Sequence, residues 1–151
     1  MILISACLIG INCKYNGKNN AVPFLDNLPK HIVPICPEQL GGLPTPRPQA
    51  EIILGDGKDV LEGNAKVITK KGNDVTKNFI FGAKQVLKIA QVCGAKEAIL
   101  KAHSPSCGSG LIYDGSFKGK LKKGDGVTAA LLKKKGIKIL SEKELFPHHC
   151  F

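Results

Sequence analysis

Three apolar runs in this chain are too short for helices, and each leads into a loop that carries a cysteine. They are ILISAC at 2–7, HIVPIC at 31–36 and EAILKA at 97–102, the last followed by HSPSCGSG. Short β-branched runs bounded by polar residues and glycine read as buried strands. The clearest helix, 75–92, lies between the second and third runs. Val75, Phe79, Ala83, Val86, Leu87, Ile89 and Ala90 form its apolar stripe, Asn73 or Asp74 is placed to cap its start, and Gly94 to end it. A second helix over 126–135, opened by Asp125 and stopped by Gly136, precedes a last strand at 137–140. Strands alternating with helices pair in parallel through right-handed crossovers. The expected fold class is therefore α/β, a Rossmann-like, mostly parallel sheet with flanking helices. Pro34 puts the second run near a sheet edge.

The remaining segments carry weaker patterns. Residues 51–54, 58–62 and 66–70, punctuated by Gly-Asp-Gly and Gly-Asn, read as a small hairpin insertion. The stretch PEQLGGLPTPRPQAEI reads as an ordered loop without regular structure, and 20–27 as a short helix. A length of 151 residues fits one domain spanning 1–151.

Composition narrows the classes of function. No apolar run approaches the ~20 residues that span a bilayer, and MILISACLIG lacks a basic leader region. A cytoplasmic protein that does not contact membranes is the expectation. Six cysteines in such a chain point to metal, cluster, catalytic or packing roles rather than disulfides. There is no CxxC pair, so the zinc-ribbon pattern does not apply. The net charge of +10 is almost all lysine, which suits either a solvated face or a field that attracts phosphate-bearing ligands. Aromatic residues are 5% and are not interleaved with the lysines, which argues against a nucleic-acid stacking platform without excluding nucleic acid. The sequence is silent on oligomeric state.

The cysteines supply the strongest signal. Cys7, Cys36 and Cys107 each follow a predicted parallel strand, and the loops at the carboxyl ends of such strands converge. Three converging thiolates suit a soft metal site, and a cubane iron–sulfur cluster accepts three while leaving one iron open. Glycines after Cys36 and Cys107 allow the backbone to approach closely. Inert burial is the competing reading for each thiol. Cys13 lies near Cys7, Cys93 reads as packing, and His148, His149 and Cys150 form a metal-friendly group at the chain end.

Other groups share these loops. Glu38 is a candidate general base for water or a cap on the loop amides. Ser104 and Ser106 either donate hydrogen bonds at the site or shape the turn. His103 is a proton carrier or a lining residue, and Arg47, the lone arginine, a candidate for bidentate anion contact. Asp125 reads as a helix cap at an anion-friendly helix start. A metal-free nucleotide-binding protein is the weakest alternative, because no Walker-type or GxGxxG pattern stands in the right place.

Taken together, SACLIGINCKYNGK, ICPEQLGGLPTPRPQAEI, DVTKNFIFGA, ILKAHSPSCGSGLIYDGSF and GDGVTAALL resemble the thiouracil desulfidase family, long catalogued as a bacterial and archaeal domain of unknown function. The resemblance implies a 4Fe–4S cluster held by Cys7, Cys36 and Cys107, whose open iron takes the sulfur of a thiocarbonyl substrate. It implies attack of water on the carbon and release of hydrosulfide without net redox change. Glu38 resembles the water-activating acid/base and Ser104 a hydrogen-bonding partner, with Arg47, Ser106 and His103 expected at the substrate. A thiolated pyrimidine base or its nucleotide is the implied substrate. The alternative is a non-catalytic or redox-sensing metal module that uses the same cysteines with a fourth ligand such as Cys13 or a histidine.

Overall fold

The computed structural model describes residues 1–23 and 25–145. In chain order its elements are β1 (Ile2–Ser5), β2 (Ile32–Ile35), α1 (Pro37–Leu40), β3 (Ala50–Ile53), α2 (Gly57–Leu61), β4 (Lys66–Thr69), α3 (Thr76–Cys93), β5 (Glu97–Leu100), β6 (Leu111–Tyr113), β7 (Leu121–Lys123), α4 (Val127–Lys134), β8 (Lys138–Ser141) and α5 (Glu142–Leu145). Single 3₁₀ turns cover Ala6–Ile9 and Leu25–Asn27. The apolar runs form a four-stranded sheet of order β2-β1-β5-β8, parallel throughout. This is the expected α/β architecture, with Pro34 on an edge strand.

Both faces of the sheet are covered, which is why its strands read as continuous apolar runs rather than as alternating ones. Leu3, Ala98 and Leu100 pack with Val86 and Ala90 of α3 and Leu132 of α4. Ile4 and Ile99 point the other way, onto Leu8 and Val22. A second core joins Ile52 and Val67 of the antiparallel β3–β4 pair to Phe79 and Ala83 of α3, Val127 and Leu131 of α4, and Ile112 of β6. Each fully buried aliphatic or aromatic side chain here contributes about 1.5–3 kcal/mol relative to exposure.

Several local expectations are corrected. The stretch after Cys36 opens with α1, which has Pro37 in its first turn and Gly41 at its end, the usual helix punctuation. It docks on α3 at van der Waals limits. Asn78 Nδ2 donates to the Gly41 carbonyl at 2.9 Å, and a Cβ on Gly82 would lie 2.0 Å from the Pro37 oxygen. Residues 57–61 form helix α2, not a strand of a hairpin, because Asp56 and Asp59 cap each other's backbone amides. The only regular structure within 20–27 among the described residues is the turn at Leu25–Asn27. The hairpin β6–β7, which carries much of the 118–123 lysine cluster, was not foreseen. Asp125 does not cap α4; its carboxylate accepts from Gly110 N and Lys133 Nζ, both at 2.8 Å. His148, His149 and Cys150 lie outside the described residues. No helix among those described is long and apolar enough to cross a membrane.

Candidate active site

The chain leaves β1 for β2 on one side and reaches β5 on the other, so β1 and β5 flank a switch point of the sheet. Loops at the carboxyl ends of strands part there and leave a crevice. In this chain the crevice is a cavity of about 250 Å³. Cys7, from the turn after β1, Cys36, at the end of β2, and Cys107, from the loop after β5, all line it, and so does Cys13. The first three meet as the strand-end argument expects. Cys93 packs at the rim of the main core, away from the cavity.

The Cys107 loop owes its shape to backbone bonds with α4. Val127 N donates to Pro105 O at 2.8 Å, Thr128 N and Ala129 N to Ser106 O at 2.9 and 3.1 Å, and Gly126 N to Gly108 O at 2.8 Å. The start of α4 therefore serves this loop, and its amides are not available to an outside anion as the sequence reading suggested. Gly126 lets the two backbones touch: a Cβ there would sit 2.6 Å from the Ser106 carbonyl. Ser104 Oγ accepts the Cys107 amide at 2.7 Å, which closes the turn and leaves its hydroxyl 3.4 Å from Ser106 Oγ. Ser5 Oγ donates to Cys107 Sγ at 3.3 Å and accepts Lys101 N at 2.9 Å, linking two strand ends.

Glu38 occupies the wall between Cys36 and Cys107. Its Oε1 accepts from Arg47 Nε at 3.0 Å and its Oε2 from Ser106 Oγ at 2.8 Å. Arg47, with a side chain only 5% exposed, also donates to Pro44 O and Thr45 Oγ1 and, at 2.9 Å, to Cys13 O. The lone arginine, expected at the substrate, lines the cavity while its guanidinium clamps Glu38 and the Cys13 loop. His103 takes a positive φ of 72° and packs its ring edge-on to Tyr113, and it is not among the residues that line the cavity. Burial, followed by Lys143 and Lys101, holds its pKa below the ordinary imidazole value.

Two residues the sequence reading passed over or left peripheral belong to this site. Lys101 lines the cavity and is anchored by Glu142, a carboxylate 1% exposed that accepts from Lys101 Nζ and from Ala102 N, both at 2.9 Å. Cys13 is 2% exposed and lines the cavity beside Cys7 and Cys36, and its carbonyl accepts from Cys36 Sγ at 3.9 Å. Only its closeness to Cys7 in sequence hinted at this.

The thiols differ in acidity. The Cys13 hydrogen bond, helped by the Gln39 amide, lowers Cys36 to about 7 against desolvation. Cys13, then Asn20 and Lys101, also lower Cys7, while Cys13 itself is pushed up by serving both. Burial raises Cys107 to about 12. The thiolate is the nucleophile, so iodoacetamide should alkylate Cys36 in metal-free protein well before Cys107. The Cys36 rate should rise roughly tenfold between about pH 6 and pH 8 and then level off. Peptide mapping by mass spectrometry checks this; Cys107 labelled first would contradict it.

An α/β sheet whose strand ends bring cysteines, a clamped carboxylate and a lysine into one crevice is the form of a thiol-rimmed enzyme site. The model of the 2-thiouracil desulfurase family matches residues 2–144, and the chain belongs to that family. It is 52% identical over 147 residues to the uncharacterized protein YbbK of Bacillus subtilis (strain 168), covering 96% of this chain and 97% of that protein. Among solved structures it resembles the [4Fe-4S]-dependent thiouracil desulfidase TudS, at 42% identity and a TM-score of 0.83 over 95% of this chain and 91% of that one.

Proposed function

We propose that this protein hydrolyses the C=S bond of a thiolated uracil or its nucleotide, giving the oxo-pyrimidine and hydrosulfide, with a 4Fe–4S cluster held by Cys7, Cys36 and Cys107. The observation that carries the reading is the shared cavity: three thiols from three strand ends face the same space as Glu38. Among the described residues no three His, Cys, Asp or Glu side chains close around a single ion. A cubane takes its thiolates from separate loops around a cavity, and the shared lining by Cys7, Cys36 and Cys107 supports that choice. When bound, the cluster supplies a soft Lewis acid that draws electron density from the thiocarbonyl.

The chain's own residues supply the rest. The overall change exchanges sulfur for oxygen, C=S plus water giving C=O plus hydrogen sulfide, so electrons balance without a reductant. Glu38 accepts a proton from water and returns it as sulfur departs. Arg47 and Ser106 hold both its oxygens, so the carboxylate is fixed in direction before substrate arrives. Ser104 sits one hydroxyl further along the same chain. Lys101 adds positive charge beside Cys7 and offsets the thiolates gathered there.

One observation favours a second reading, a closed metal module without catalysis: Cys13 lines the same cavity as Cys7 and Cys36 and is a candidate fourth ligand. One experiment separates the two. Protein reconstituted anaerobically with iron and sulfide should absorb broadly in the visible and release sulfide from 2-thiouracil, 4-thiouracil or 4-thiouridine monophosphate, one per pyrimidine formed, with no reductant present. A coloured protein that releases none, and whose spectrum thiouracil leaves unchanged, is the closed module instead.

A further inference from the structure

The proposed chemistry leaves one buried ionisable group in the cavity without a task. Glu51, on β3, is 7% exposed and lines the cavity. Its Oε1 accepts the backbone amides of Gly115 at 2.9 Å and Phe117 at 3.1 Å, which fixes the carboxylate against the β6–β7 turn. Among the described residues its Oε2 accepts no hydrogen bond, and no lysine or arginine pairs with it. Thr128 Oγ1 is the one fully enclosed side-chain polar atom left without a partner among those residues, so the second oxygen of Glu51 remains reachable. For a side chain this buried, the reachable space is the cavity it lines. A carboxylate removed from bulk water is costly unless its oxygens are paired, and one of these is paired while the other is held open.

We propose that Glu51 Oε2 accepts the N3–H of the pyrimidine ring and thereby selects uracil-type over cytosine-type thiopyrimidines. This rests on the reading of the site as a thiouracil desulfidase and assigns the contact that orients its substrate. In the lactam form of a uracil, N3–H lies between C2 and C4. A single acceptor therefore orients the ring whether sulfur stands at either carbon, and it does so equally for a base or for a nucleotide substituted at N1. A cytosine-type ring carries a lone pair at N3 and no hydrogen, so two acceptors would face each other. Sites built around a buried hydrogen-bonding group reject analogues that cannot complete the bond, by about 100-fold or more.

The cluster-loaded protein tests this with ligands that do not react. By calorimetry, uracil and 1-methyluracil should bind alike, while 3-methyluracil and cytosine bind at least about 30-fold more weakly. Glu51→Gln keeps an oxygen for Gly115 and Phe117 but offers an amide donor where the open oxygen stood. Its iron content should match the parent, its uracil affinity should fall about 10- to 100-fold, and its kcat/KM ratio for 2-thiocytosine over 2-thiouracil should rise at least about tenfold. Equal binding of uracil and 3-methyluracil by the parent protein overturns the assignment even if the variant does not fold. So does sulfide release from 2-thiouracil at parental kcat/KM in Glu51→Gln. Binding that depends on Glu51 in a loaded protein that releases no sulfide would instead sink the desulfidase reading and leave the recognition standing.

Discussion

Cys7→Ser, Cys36→Ser and Cys107→Ser are each expected to leave a folded chain that retains little iron after anaerobic reconstitution and releases sulfide only at background, whereas Cys13→Ser keeps its iron and most of its activity. A serine hydroxyl does not ionise in the range where thiols do and is a hard ligand, so soft iron loses the anion that holds it. The fold should survive, because the three positions sit on turns fixed by backbone bonds. Cys107 illustrates this: Ser104 Oγ holds its amide and α4 holds the carbonyls on both sides, none of which involves the sulfur. Cys13 is different in kind. Its contribution is to favour the thiolates of its neighbours Cys7 and Cys36, and a serine O–H can still donate to one of them. Outer partners of ligands typically matter by about 10- to 100-fold when removed, and a replacement that keeps the donor should cost less than about tenfold. Iron and acid-labile sulfide analysis, beside the visible spectrum, reads all four variants. Loss of iron in Cys13→Ser as complete as in the other three would mean a fourth ligand and a closed site.

Strand ends were legible because a buried parallel sheet writes itself as short apolar runs, and the convergence of Cys7, Cys36 and Cys107 followed from that geometry alone. The partners of Arg47 were not legible. Its guanidinium reaches Glu38, nine residues back, and Cys13, thirty-four residues back, and nothing local distinguishes a clamp from a ligand contact. Cys13 was blurred for the same reason: the bend that carries it inward is made by Cys13 N to Ile11 O and Lys14 N to Lys18 O, irregular bonds without periodicity. Helices α1 and α2, of 4 and 5 residues, are too short for a 3.6-residue pattern to register. Their signals were the caps, Pro37 with Gly41 and Asp56 with Asp59, which among so many glycines and prolines read as turns. Glu51 gave no signal as a site residue, since only the return of the β6–β7 turn onto β3 buries it.

Glu38→Gln should lower kcat by about 10²- to 10⁴-fold, the usual worth of a positioned general acid–base, with iron content and KM close to those of the parent. The substitution is nearly isosteric: its amide oxygen still accepts from Arg47 Nε, and its NH₂ meets Ser106 Oγ, which can turn to accept. What disappears is the capacity to take a proton from water. A parental visible spectrum on reconstitution, beside the lost turnover, separates this loss of base from a packing defect. Arg47→Lys separates base from clamp. Lysine keeps the charge near Glu38 but cannot reach Glu38, Pro44 O, Thr45 Oγ1 and Cys13 O together as the planar guanidinium does. Its kcat should lie between the parent and Glu38→Gln, because the carboxylate remains and only its aim is loosened. Parental kcat in Glu38→Gln would move the proton transfer to another group in the cavity. The neighbouring hydroxyls of Ser104 and Ser106 would be the first to examine, since they share its hydrogen-bond chain.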